Sequence, residues 1–88
     1  MITIEEKKII QKYAKKYQVL SVFLFGSSVS EKEYSDIDLG VKGLKPKLFF
    51  KFYAELFKYL SKPVDLIDLS KKNLFNSLVE GRGIKIYG

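Results

Sequence analysis

The sequence predicts an α/β or α+β fold, one small mixed β-sheet with flanking helices. Apolar runs of strand length, Val19 to Phe25, Asp36 to Val41, Val64 to Leu69 and Ile84 to Tyr87, alternate with segments whose apolar residues recur every three or four positions. Glycine and proline fall largely between these segments, where turns belong. A length of 88 residues provides one hydrophobic core, so residues 1–88 are expected to form a single domain.

Taken in order, Thr3 and Glu6 have the spacing of a capping box, and Ile9, Ile10, Tyr13, Ala14 and Tyr17 follow at helical intervals. This predicts a first helix from Ile4 to Tyr17 with its lysines outward. Val19 to Phe25 is apolar on both parities except for Ser21, which predicts a strand covered on both faces. Ser28 to Ser35 reads as a polar connection with Glu31 and Glu33 in solvent. Asp36 to Val41 is the second strand. Pro46 fits the first turn of a second helix running to Leu60, whose stripe of Leu48, Phe49, Phe52, Tyr53, Leu56, Phe57 and Leu60 leaves Phe50 and Tyr59 to one side. Val64 to Leu69 is the third strand. Ser70 is expected to cap a third helix, Lys71 to Glu80, with Leu74, Phe75, Leu78 and Val79 inward and Gly81 at its end. The strand order is not legible.

Composition narrows the chemistry. With 47% hydrophobic residues, six tyrosines and seven phenylalanines, the chain can pack a core and is not disordered. It has no cysteine and no histidine, so disulfides, thiolate sites, imidazole catalysis and the usual zinc ligands are excluded. Carboxylates, lysines, hydroxyls and backbone remain, an oxygen-rich donor set that suits Mg2+ or Mn2+. The net charge of +6 is compatible with phosphate ligands. Arg82 is the only arginine and no reading helix is recognisable, so direct nucleic-acid binding is not expected. No apolar run approaches a membrane span and MITIEEKK lacks a signal-peptide core, which gives a cytoplasmic expectation and no membrane partner.

The candidate site lies in Val19 to Val41. Asp36 and Asp38 are two apart, so in a strand both carboxylates leave one face while Ile37 and Leu39 leave the other. Asp65, on another apolar strand, can reach the same face. Three such carboxylates at one end of a sheet can hold two divalent ions about 4 Å apart, the arrangement that clamps attacking and leaving oxygens in phosphoryl or nucleotidyl transfer. Gly26 and Ser27 end the preceding strand in a turn whose amides form an anion nest, with a hydroxyl added. Asp68 has the opposite strand parity and reads as a polar residue leading the next helix. An isolated D-x-D is more often surface decoration, and Gly-Ser is a common loop pair; their combination is informative.

FGSS, then SDIDLGV eight residues on from Ser27, then PVDLIDL together resemble the minimal nucleotidyltransferases of the DNA polymerase beta superfamily. The resemblance covers nearly the whole chain. It implies a polymerase-beta-like palm fold, with Asp36, Asp38 and Asp65 as catalytic residues and metal ligands, and Asp65 as base for the incoming hydroxyl. Gly26, Ser27 and Ser28 are implied on the nucleotide. The spacer before D-x-D is about two residues shorter than is common in the family, and Ser28 stands where an arginine often follows Gly-Ser. A charge-assisted phosphate contact of about 1 to 3 kcal/mol is thereby absent.

The small family members resembling this chain are commonly paired with a HEPN-domain protein, a helical RNA-cutting toxin. The resemblance therefore implies Mg2+ or Mn2+ as cofactor, ATP as substrate, and transfer of AMP to a tyrosine hydroxyl of that toxin, with this chain as antitoxin. The alternative is a non-catalytic module that neutralises its HEPN partner by contact alone. Phe50 and Tyr59 bear on the partner: either they form an exposed aromatic patch or they fold back on neighbouring loops.

Overall fold

The computed structural model describes residues 2–30 and 33–88. Helix α1 (Ile4–Lys16) leads into β1 (Ser21–Phe25), the one-turn helix α2 (Ser27–Ser30) and β2 (Ile37–Lys42). A 3-10 turn (Pro46–Leu48) precedes α3 (Phe49–Tyr59), which is followed by β3 (Val64–Asp68), α4 (Leu74–Arg82) and β4 (Ile84–Tyr87). Glu31 lies outside the described residues; Glu33 is exposed.

The sheet order is β3-β2-β1-β4, with β1 antiparallel to β2 and β4, and β2 parallel to β3. The mixed character follows from the connections. A parallel pair needs a long crossover, and the β2–β3 connection contains α3; the β1–β2 connection is shorter and returns antiparallel. The α+β prediction therefore holds.

One face of the sheet carries the main core. Val22, Leu24, Ile37, Leu39, Val41, Val64, Leu66 and Ile86 meet Ile10, Tyr13 and Ala14 of α1 and Phe52 and Leu56 of α3. Full burial of an aliphatic or aromatic side chain contributes about 1.5 to 3 kcal/mol, so this layer holds the domain together. The opposite face has a smaller cluster, Phe23, Leu69 and Val79 with Phe25 and Ile67 against it, and α4 lies there. The thinner covering leaves one end of that face accessible.

Helix boundaries show where local signals were sufficient. Thr3 caps α1 reciprocally: its hydroxyl accepts from the Glu6 amide at 3.0 Å and its amide donates to Glu6 Oε1 at 2.8 Å. β1 starts at Ser21 rather than Val19, because Gln18 turns through a positive φ of 56° after α1. Ser21 is buried and Leu20 exposed, the reverse of the apolar pattern. The second helix is divided into the 3-10 turn and α3, and Phe57 lies off its buried stripe at 58% exposure.

The last helix required the largest correction. Asn73, not Ser70, caps it, accepting from the Asn76 amide at 2.8 Å. Ser70 instead donates its amide to Asp68 Oδ1 at 2.9 Å, closing a turn after β3. Asn76 is buried in the helix and its side-chain amide donates to Lys71 O and Asp68 O, holding that turn. With this start Val79 faces the sheet, whereas Leu74, Phe75 and Leu78, expected inward, are exposed. The helix runs through Gly81, and Gly83 ends it where a Cβ would lie 2.5 Å from Val79 O and 2.9 Å from Leu24 O. Only glycine lets α4 end this close to β1.

A buried polar node ties α1 to the approach to β2. Tyr34 donates its hydroxyl to Glu6, which also faces Lys62 Nζ at 3.9 Å; the ammonium lies 4.0 Å from the centre of the Tyr34 ring. Burial pushes the Glu6 carboxyl up, but the Tyr34 hydroxyl, the Thr3 amide and the Lys62 charge outweigh it and hold it below its ordinary value. Burial, then the Glu6 hydrogen bond and charge, push the Tyr34 phenol up from 10.0 to about 12. Stability from a lowered carboxyl is present above its unfolded value and lost as pH falls through the folded one; stability from a raised phenol is present below pH 10 and lost toward 12. Tyr34→Phe is expected to cost about 1 to 3 kcal/mol at neutral pH, read by urea denaturation. Its stability profile should be flatter than wild type at both pH extremes; an unchanged profile would remove the node from the fold's energetics.

Candidate active site

Sheet register places the acidic residues. Asp38 in β2 is the Cα partner of Asp65 in β3 on one side and of Phe25 in β1 on the other. Neighbours in register share a face, so Asp65, Asp38 and Phe25 form a row across three strands on the thinly covered side. Ile37 and Leu39 point into the main core, which fixes the outward direction of Asp38 between them. Asp36 lies two residues before Asp38, at the approach to β2, and is exposed like Asp65.

Asp38 is the half-buried member. Burial pushes its carboxyl above the ordinary value, and the negative charges of Asp65 and then Asp36 push it further. The charges of Asp65 and Asp36 thus bear on Asp38. Among the described residues no set of three or more His, Cys, Asp or Glu side chains is gathered tightly enough to hold a metal ion by itself. The arrangement is an open acidic rim, not a closed cage. That fits Mg2+, which commonly takes one or two carboxylates and completes its shell with water and substrate phosphates.

The Gly26 turn packs directly against the rim. Gly26 has φ +70°, and a Cβ there would lie 3.1 Å from Asp38 Cγ and closer still to Oδ2. Glycine is therefore required twice, for the left-handed backbone and for the approach to the carboxylate. Ser27 begins α2 immediately after it.

Ser28, expected beside Ser27 on the nucleotide, is fully buried. Its hydroxyl donates to Phe25 O at 2.8 Å and accepts from the Asp38 amide at 3.3 Å. It pins the turn to β2, so its side chain holds the site's shape. Sequence spacing could not reveal this, since the bond spans ten residues and depends on the β1–β2 register.

Beyond Gly26 lies a cavity of about 290 Å³, between the turn and α4. Phe25 and Phe75 form aromatic walls, their rings 6.0 Å apart and nearly perpendicular. The sequence reading missed this cavity because it turned Phe75 and Leu78 into the core.

The aromatics of α3 divide. Phe50 is 78% exposed, while Tyr59 stacks on Tyr13 of α1 at 5.4 Å. Nine residues apart on α3, the two lie on opposite sides of the helix and do not form one patch.

A family model described as "Polymerase beta, Nucleotidyltransferase" matches residues 7–88. No curated protein matches the sequence. Among solved structures, the chain is similar to a toxin-antitoxin with AMP-PNP, at 23% identity and TM-score 0.77, covering 93% of this chain and 73% of that one. It is similar to the toxin-antitoxin MntA-HepT at 22% identity and TM-score 0.74, covering 98% and 73%. A mutant of the toxin-antitoxin MntA-HpeT matches at 26% identity and TM-score 0.76, covering 98% and 74%. The similarity extends over nearly every element described above.

Proposed function

The chain belongs to the polymerase beta nucleotidyltransferase family, and from that membership we propose that it transfers AMP from ATP to a tyrosine hydroxyl of a HEPN-domain toxin, acting as its antitoxin. The observation that carries the reading is the row formed by Asp38 and Asp65, in register on adjacent strands, with the Gly26 turn against Asp38. The similarity to toxin-antitoxin structures, one with AMP-PNP, supports this choice of nucleotide and partner.

In this reading Asp36, Asp38 and Asp65 hold Mg2+ or Mn2+, and the Gly26–Ser27 turn receives the phosphates. Bound there, a divalent cation supplies charge neutralisation of the triphosphate. Asp65 takes the proton from the tyrosine hydroxyl. The tyrosine oxygen bonds to the α-phosphorus as the bond to the bridging oxygen of the β-phosphate breaks, and pyrophosphate leaves. Ser28 keeps the turn and Asp38 in fixed relation, limiting the reorganisation needed at the reacting centre.

Labelled ATP tests this directly. With Mg2+ and the partner present, α-phosphate label is expected on a partner tyrosine and absent with Asp36→Ala or Asp38→Ala; label persisting in both variants would sink the assignment. One observation favours the second reading, neutralisation by contact: no lysine or arginine lies between Gly26 and Ser30 to grip the phosphates. On that reading the same two variants inhibit the toxin undiminished.

A further inference from the structure

Helix α3 carries more aromatic surface than its core contact uses. Phe50, Tyr53 and Phe57 stand at i, i+3 and i+7, so they share one side of the helix, and Phe50 and Phe57 point away from the Tyr59 that stacks on α1. Their rings are linked in a run through Phe49. Ring centres lie 5.5 Å apart for Phe49 and Phe50, 6.4 Å for Phe49 and Tyr53, and 6.5 Å for Tyr53 and Phe57. Spacings in this range are attractive, so the rings hold one another in place. Phe50 and Phe57 are nonetheless 78% and 58% exposed, and the core contact of α3 is made by Phe52 and Leu56 instead.

Two observations select an occupant. Tyr53 donates its hydroxyl to Val64 O at 2.7 Å, which fastens the aromatic side to the start of β3, one residue before Asp65. β3 is an edge strand, so this side opens on the flank where Asp65 meets the acceptor hydroxyl in the reading above. The second observation is charge. Lys47, Lys51 and Lys58 are exposed along the 3-10 turn and α3, whereas the one acid of α3, Glu55, is bonded to Lys16 of α1 at 2.7 Å. A second copy of this chain would set lysines against lysines, while an acidic surface would be steered in. We propose that Phe50 and Phe57, with Tyr53 between them, anchor the acceptor protein, entering an apolar groove bordered by Asp and Glu on its surface. The inference rests on the transfer reading above and deepens it by stating where the partner is held. Anchors at i, i+3 and i+7 are the pattern by which a helix lies in such a groove. Aromatic rings lose little conformational entropy on burial, which suits them to the centre of an interface.

The test titrates the HEPN-domain toxin calorimetrically into the full chain and follows label transfer from ATP on the same samples. Phe50→Ala combined with Phe57→Ala is expected to weaken toxin binding about 10-fold or more, the scale of losing central aromatic anchors. Lys51→Glu combined with Lys58→Glu should weaken it as well, and wild-type affinity should fall as salt is raised. Affinity for ATP with Mg2+ should not move in either variant, because both pairs are exposed and α3 lies across the sheet from the acidic row. Undiminished toxin binding by the aromatic variant, beside label transfer by wild type, removes the docking site while the transfer reading stands. Toxin that binds wild type, binds both variants weakly and is never labelled supports the docking site and overturns the transfer. A wild-type dimer that the aromatic variant dissociates gives this side to a second copy and overturns the proposal.

Discussion

On the proposed activity, Asp38→Asn protein is expected to lose AMP transfer by about 1000-fold, the scale of removing one preorganised charged or hydrogen-bonding group, and yet to melt at a higher temperature than wild type. Asparagine keeps the shape and volume of aspartate and removes the charge. In the wild type that charge is half-buried and faces Asp65 and Asp36, and its carboxyl is raised accordingly. For a raised carboxyl the stabilising protonated form is fully populated below the unfolded value, and the benefit is lost as pH rises through the folded one. At neutral pH the ionised wild type therefore carries repulsion that the variant lacks. Each kcal/mol recovered raises the melting temperature by roughly 4 to 8 °C in a domain of this size. Differential scanning calorimetry with and without Mg2+ checks the argument. The cation should raise the wild-type transition and move the variant less. A variant that melts lower than wild type in metal-free buffer would show that Asp38 is held by the fold and not opposed by it.

Gly26→Ala should also lose activity, to a smaller extent and by a different route. Its Cβ would overlap the Asp38 carboxylate, and the backbone at φ +70° is left-handed. The left-handed conformation alone costs about 1 to 2 kcal/mol for alanine, and the overlap forces either the turn or Asp38 to move. Because Ser28 ties the same turn to the Asp38 amide, the displacement reaches the reacting centre; a shift of about 1 Å can cost 100-fold in rate. The expected outcome is a less stable protein with transfer reduced by about 100-fold. Urea denaturation and label transfer measure the two effects separately, and full activity in a destabilised Gly26→Ala would detach the turn from catalysis.

Much of the fold was legible because its signals are local. The Thr3–Glu6 box, the alternation of Ile37 and Leu39 with Asp36 and Asp38, and the crossover length between β2 and β3 each depend on nearby residues. The strand order was not legible, since the parallel pairing of Asp38 with Asp65 depends on how α3 packs. α4 was misread for a related reason. Leu74, Phe75, Leu78 and Val79 have helical spacing, but the Asn73 cap and the close approach at Gly83 orient the helix so that Val79 alone of these is buried. Of the candidate site, the nearness of Gly26, Asp38 and Asp65 to one another could be anticipated from residue type and spacing. The structural task of Ser28 depended on contacts across the sheet and was invisible.

β1 lies between β2 and β4, both of which follow it in the chain, one closely and the other last of all. During synthesis β2 emerges soon after β1, whereas β4 follows α3, β3 and α4. Val22, the partner of Tyr87, must wait for those residues to leave the ribosome before its outer edge is satisfied. Until then a nascent chain presents an unpaired apolar strand, which makes the interval before β4 appears the one in which a chaperone would matter most.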